Sequence, residues 1–381
     1  MKPVIVDAVR TPFGKRNGWM SGLHAAEMLG AAQTAVLRRT DTDPQSVEQV
    51  IGGCVTPVGE QYGNVARTAW LHAGLPSGAG TTAIDAQCGT AQQAVQLLAG
   101  QIAIGAVDVG VACGVEVMSR VPLTPKSGTG LGTARPTGWS IAMPDQYTAA
   151  DRIARYRGFS RADLDGFGLR SQQLAQQAWD TGRFDAHVLT MEVPAAEGAD
   201  TPMLVSRDQG LRHTSLDALA ALKPTIEGGL HTAGTSSQVS DGASAALLMS
   251  ARHAESVGAV AKARLLAQCV VGGDTELMLD GPVAAGARLL ERTGMSIADI
   301  DLFEVNEAFA AVPMSFATAL GVDEDRVNVN GGAIALGHPA GATGIRLLAN
   351  AIDELVRRDA QVAMIAICAA AATTCLILER L

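Results

Sequence analysis

Residues 82–95 read Thr82-Ala83-Ile84-Asp85-Ala86-Gln87-Cys88-Gly89-Thr90-Ala91-Gln92-Gln93-Ala94-Val95. An apolar, strand-like run breaks at a polar turn, and a helix-forming run starts at a cysteine. A thiol at a helix N-terminus meets first-turn N–H groups and the positive end of the dipole, which favour thiolate over thiol. Cys88 is therefore a candidate nucleophile. Free cysteine is also among the most buried residue types, and taken alone the reading of Cys88 as a small core hydrophobe is the commoner one.

Outward from this stretch, strands and helices alternate. Residues 2–9 form an apolar β-type run, 23–39 have helical spacing, 50–55 read as a buried strand and 64–73 as a short helix. Strand 81–86, helix 89–104 and strand 107–114 follow. Such alternation predicts a mainly parallel sheet covered on both faces, with ligands at the carboxyl ends of strands. From about Val117 the texture changes to Pro/Gly/Ser/Thr-rich sequence over 120–130, with polar helices at 149–156 and 161–181. This reads as an inserted excursion. It returns through the Gly/Ser/Thr-rich residues 228–243, which fit a surface loop and a ligand cradle equally well. Alternation then resumes, and residues 327–367 echo 81–112: a strand, a turn carrying His338, a helix over 341–358 and a strand ending at Cys368. Two duplicated halves would place Cys88 and His338 at matching turns.

A chain of 381 residues exceeds what one core normally organises, so two or three subdomains are expected. A net charge of −9 argues against a nucleic-acid or anionic-membrane partner. The first residues lack the charged and apolar regions of a signal peptide, and no uninterrupted 18-residue apolar stretch occurs, so a soluble, cytoplasmic protein is expected. The six cysteines are scattered without CxxC pairs, which implies reduced thiols and no structural zinc site.

Two more constellations carry chemistry. Asn328 to Gly344 is dense in glycine, which lets backbone N–H groups approach a ligand, and its His338 suits acid/base work or a structural hydrogen bond. Glu304-Val305-Asn306-Glu307-Ala308-Phe309 follows an apolar run; its Asn306 fits an oxyanion- or water-holding amide, and equally a helix N-cap.

Over essentially its whole length the sequence resembles the thiolase family. Three motifs match in order: the segment around Cys88, Asn306-Glu307-Ala308-Phe309, and Gly331-Gly332-Ala333-Ile334-Ala335-Leu336-Gly337-His338-Pro339 with Gly341-Ala342-Thr343-Gly344. Val6-Asp7-Ala8-Val9-Arg10-Thr11-Pro12-Phe13-Gly14 and Ser240-Asp241-Gly242-Ala243 agree as well. The resemblance implies the α/β thiolase fold, with duplicated βαβαβ halves in a layered αβαβα arrangement and an inserted loop domain. The halves would be 1–117, continued at 250–268, and 269–381; residues 118–249 would form the insert and bind CoA.

By the same resemblance, Cys88 attacks the keto carbon of a 3-ketoacyl-CoA, His338 takes its proton, and an acyl-enzyme forms; the reverse direction is Claisen condensation. His338 and a water held by Asn306 would stabilise the enolate, and Cys368 would exchange the α-proton. The N–H groups of Cys88 and Ala370 would make a second oxyanion hole. Arg212 is the candidate for CoA phosphates, Ser237 for the pantetheine arm, and Met143, Ala233 and Phe309 for pocket walls. CoA enters as substrate and product, with no metal or other cofactor. A homodimer or homotetramer is implied, together with association with other β-oxidation enzymes.

The sequence departs from the family where Cys368 is followed by Ala369-Ala370-Ala371-Ala372 in place of glycines. If the backbone there needs a glycine-only conformation, the oxyanion hole would be displaced; if it is extended, the alanines mainly narrow the pocket. A non-catalytic acyl-CoA-binding or assembly subunit is the alternative this raises. A carrier-protein ketosynthase is disfavoured, because Asn306-Glu307 stands where that family has a histidine. Thr235 and the glutamines flanking Cys88 look more like acyltransferases of lipid and sterol breakdown than acetoacetyl-CoA synthesising enzymes.

Overall fold

The structure is a computed structural model that describes residues 1–123, 135–194 and 201–381. Residues 124–130 of the Pro/Gly-rich stretch lie outside the described residues. The first part runs β1 (Pro3–Arg10), β2 (Gly14–Lys15), α1 (Ala25–Arg39), β3 (Gln49–Gly53), α2 (Val65–His72), β4 (Gly80–Ile84), α3 (Thr90–Ala103) and β5 (Val109–Val117). The excursion holds α4 (Gln146–Arg157), α5 (Arg161–Asp180), a small hairpin of β6 (Met191–Val193) and β7 (Met203–Val205), and α6 (Leu216–Ala220). The chain returns through β8 (Ser240–Ser250), α7 (Ala251–Ser256), β9 (Ala263–Val271), α8 (Gly281–Thr293), β10 (Leu302–Val305) and α9 (Ala311–Leu320). It closes with α10 (Ala333–Leu336), α11 (Thr343–Arg358), β11 (Val362–Ile367) and β12 (Thr373–Arg380).

The strands order as β10-β11-β12-β9-β1-β8-β5-β3-β4, and this order carries the duplication. From the middle outward, β1-β8-β5-β3 on one side matches β9-β12-β11-β10 on the other. In each half the outer pair is parallel and the inner pairs are antiparallel. The expected mainly parallel sheet is thus a mixed one. Residues 368–372 between β11 and β12 are too few for a parallel crossover, and β8 comes back antiparallel from the excursion. The strand expected near residue 327 is reduced to a single bridge between Phe303 and Val327. The Asn328 side chain takes over the pairing beyond it, accepting from the Val305 N–H and donating to the Val305 carbonyl, both at 2.8 Å.

Burial sorts the helices into layers. Helices α1 and α2 cover the outer face of the first half, and α8 and α9 that of the second. Helices α3 and α11 pack on each other between the two halves, with the apolar residues Ile5, Ile51 and Leu248 on one side and Leu302, Ile365 and Leu376 on the other. This is the five-layered αβαβα arrangement. Strands β5 and β8 are buried along their whole length because helices cover both faces, which is why they read as continuous apolar runs. Strand β8, all but its last residue within the range 118–249 read as the insert, lies in the sheet between β1 and β5. Strand β9 pairs along β12 and meets β1 only at Val4–Arg264 and Ile5–Ala263.

Candidate active site

Three strand ends feed one region: β4 leads to Cys88, β10 to Asn306 and β11 to Cys368. After β4, Asp85 Oδ1 accepts the Gln87 N–H at 2.7 Å, and Gln87 takes a left-handed φ of 51°. A non-glycine residue there costs about 1 kcal/mol, and the turn compensates with bonds. Thr90 Oγ1 donates to the Gln87 carbonyl at 2.7 Å and accepts the Ala86 N–H at 3.0 Å. Gln87 Oε1 accepts the Ala371 N–H at 3.1 Å, which ties the cysteine turn to the segment after Cys368. Helix α3 begins at Thr90, two residues beyond the cysteine.

The thiolate expected for Cys88 is corrected. Burial, and next the Glu116 carboxylate, push the thiol up to about 12; the N–H of Cys88 pulls the other way and loses. Half-buried Cys88 is a thiol at rest, so it needs a base to become a nucleophile. Burial and then the neighbouring Cys88 sulfur push Cys368 well above the ordinary thiol range.

His338 supplies a lone pair at Nε2. Its backbone N–H donates to Ser240 Oγ at 3.0 Å, and its ring Nδ1 lies 2.7 Å from Thr343 Oγ1. Thr343 donates its own proton to the Pro339 carbonyl at 2.9 Å, so the network assigns Nδ1–H to the imidazole and leaves Nε2 as the acceptor. Burial, with the Arg346 guanidinium adding to it, holds His338 down to about 3, so the ring is neutral. Asn306, fully buried, presents Nδ2 to His338 Nε2 at 3.4 Å. The N-cap reading of Asn306 fails: α9 starts at Ala311, after a cap residue, Ala310, that has no side-chain bond. Nor does His338 begin a helix, since α11 starts at Thr343.

Two buried carboxylates brace these loops. Glu307 accepts from Ser171 Oγ at 2.7 Å, Asn328 Nδ2 at 3.0 Å and the Ile334 N–H at 3.1 Å. A Cβ on Gly332 would sit 2.2 Å from the Glu307 carboxyl carbon, so this position requires glycine. Glu116 accepts from Gln61 Nε2 and the N–H groups of Val55 and Gly341 at 2.8, 2.8 and 3.0 Å, fastening the His338 loop to β5. Burial pushes Glu116 up to about 7.

A cavity of about 250 Å³ opens at Cys88 and His338, with Ser237 and Phe309 also in its wall. The Gly/Ser/Thr-rich return stretch supplies Ser236 to Val239 of that wall, so it is more than a surface loop. It is stitched to the Asn306 segment by Ser237 N–H to the Ala308 carbonyl at 3.0 Å and Ala310 N–H to the Thr235 carbonyl at 2.9 Å. Met118, Leu123 and Tyr147 complete the apolar side, Tyr147 meeting Phe309 edge-on at 5.4 Å. No sequence signal pointed to these three, because the fold brings them in from the excursion.

Met143 packs near the core cluster around Phe309 and Cys368 but does not line the cavity. Arg212 lies on a different cavity with Gln172 and Asp180; its Nη2 donates to the carbonyl of exposed Ala233 at 3.1 Å. Neither Arg212 nor Ala233 lines the cavity at Cys88. Ala370 has no left-handed φ, so the alanines after Cys368 are not strained. The backbone after Cys368 is therefore one that any residue adopts.

Fold and site together define an acyltransferase on a duplicated, layered α/β frame with a cysteine and a neutral histidine at one cavity. The family descriptions "Thiolase, N-terminal domain" and "Thiolase, C-terminal domain" match residues 3–252 and 259–380, and the chain belongs to the thiolase family. It is 39% identical to the steroid 3-ketoacyl-CoA thiolase FadA6 of Mycobacterium tuberculosis, covering 99% of this chain and 94% of that protein. It is 37% identical to the 3-ketoacyl-CoA thiolase of Aliivibrio fischeri, covering 96% and 95%. Among solved structures, the Bacillus anthracis acetyl-CoA acetyltransferase superposes with a TM-score of 0.90 at 32% identity, over 100% of this chain and 99% of that one. Human mitochondrial 3-ketoacyl-CoA thiolase does so with 0.91 at 30% identity and the same coverage.

Proposed function

We propose that the protein cleaves 3-ketoacyl-CoA thiolytically, through an acyl-Cys88 intermediate. His338 Nε2 removes the Cys88 proton and the sulfur adds to the C3 ketone; the C2–C3 bond then breaks. The departing acetyl-CoA enolate is held by His338 and a water on Asn306, and takes its proton from Cys368. The His338 imidazolium passes its proton to the Cys368 thiolate; His338, neutral again, deprotonates CoA, whose sulfur attacks the acyl-Cys88 thioester, and Cys88 regains its proton from His338 as the shortened acyl-CoA leaves. The N–H groups of Cys88 and Ala370 stabilise the oxyanion on the acyl carbon.

The observation that carries this reading is that a resting thiol and a neutral imidazole line the same cavity. A thiol that stays protonated is inert until a base takes its proton, and His338 is such a base. The excursion between β5 and β8 receives CoA, Ser237 contacts the pantetheine arm, and Arg212 meets the phosphates. The work is degradative, in lipid breakdown, carried out in the cytoplasm by a homodimer or homotetramer, with no resident cofactor or metal. Among the described residues no helix is long and apolar enough to cross a membrane.

Incubation with CoA and 3-ketoacyl-CoAs of graded length, followed by mass spectrometry, tests the reading. An acyl adduct on Cys88 that vanishes in Cys88→Ala is expected; full turnover by Cys88→Ala would overturn it.

A further inference from the structure

Arg346 lies on α11 with no solvent exposure, and nothing in the chemistry above uses it. A guanidinium withdrawn from water is costly unless it is well paired. Its pairing is incomplete. Glu304 Oε2 stands 3.6 Å from Nη1, beyond hydrogen-bond reach, and Nε and Nη1 have no hydrogen-bond partner. Among the described residues its one hydrogen bond runs from Nη2 to Asn306 Oδ1, at 3.4 Å.

That bond decides which way round the Asn306 amide sits. Arginine only donates, so the atom facing it is the oxygen, and Nδ2 turns toward the His338 lone pair. Thr343 enforces the same choice from the other side by keeping the proton on Nδ1. A buried positive charge behind the carbonyl also polarises the amide and strengthens Nδ2–H as a donor where enolate charge develops.

We infer that Arg346 is a positioning residue for the enolate step, acting through Asn306 and leaving acyl transfer to Cys88 largely untouched. The inference rests on the roles proposed above for Asn306 and Cys88.

Two reactions of the full-length protein separate these roles. Exchange of labelled CoA into acyl-CoA needs only Cys88 and His338, whereas cleavage and condensation need the enolate. In Arg346→Met the enolate reactions fall by about tenfold or more with KM within about twofold, and exchange falls by no more than about threefold. Arg346→Lys recovers part of the loss. Arg346→Met added to Asn306→Ala slows the enolate reactions no further. Because removing the guanidinium strands Glu304, the pair Arg346→Met/Glu304→Gln repeats the measurement without a buried lone carboxylate.

Equal losses in both reactions, or losses that add to those of Asn306→Ala, overturn the assignment. So does an Asn306 side-chain amide resonance unchanged in Arg346→Met, a readout that requires no turnover. Absence of a Cys88 adduct in the unmodified protein would instead strike the functional reading.

Discussion

Thr343 Oγ1 stands 2.7 Å from His338 Nδ1 while its proton is committed to the Pro339 carbonyl. One hydroxyl thus dictates which imidazole nitrogen is free to take a proton. Thr343→Val removes the acceptor and lets the ring change tautomer. Its kcat should fall on the order of tenfold to a hundredfold with KM little changed, and Thr343→Ser should keep most of the rate. Steady-state kinetics on the three proteins decide the matter; equal kcat in Thr343→Val would remove the role assigned to the bond.

Cys88 should alkylate slowly at neutral pH. Burial and Glu116 push its thiol up to about 12, so the rate with iodoacetamide should still be climbing at the alkaline end of a pH series. Glu116→Gln removes the carboxylate charge and should move the curve to lower pH. A rate already level near neutrality would contradict the resting thiol.

His338 also links stability to pH. Its folded value is held down to about 3 against an ordinary 6.5, so between these limits the unfolded chain binds the proton and the folded chain does not. Stability is therefore lost as pH falls from 6.5 toward 3. In His338→Gln the midpoint temperature should decline less over that interval; parallel declines in thermal melts would contradict the buried neutral ring.

Ala370→Gly should not raise activity, because the backbone there is already in a region open to alanine. Glycine adds freedom to the unfolded chain, so a loss of about 0.4–1 kcal/mol is expected with kcat nearly unchanged. A several-fold gain in turnover would mean that the alanines impede the oxyanion hole.

Gly332→Ala forces a methyl group into the Glu307 carboxyl. Overpacking of this kind costs about 1–3 kcal/mol, read from urea unfolding. The loop it displaces carries His338, so turnover should fall as well.

The alternation of elements and the strand–turn–helix at Cys88 were legible because strands buried on both faces leave continuous apolar runs between helix-spaced ones. The duplication was legible for the same reason. The direction of β8 and β12 was not, since a strand reads alike either way along a sheet. The ionisation of Cys88 does not follow from the sequence, because the helix terminus is visible there while burial is not. Asn306 looked like a cap only because its true neighbours, His338 and Arg346, come from 32 and 40 residues away. Met118 and Tyr147 carried no signal, being ordinary residues until the excursion folds over Cys88.

The reacting side chains stand on the duplicated frame, while most of the cavity wall, from Met118 and Leu123 through Tyr147 to Ser236–Val239, comes from the excursion and its return. On the proposed function, chemistry and selectivity are written in separate stretches of chain. The excursion is free to be recut for longer, shorter or bulkier acyl groups while the thiol, the imidazole and the amide keep their places.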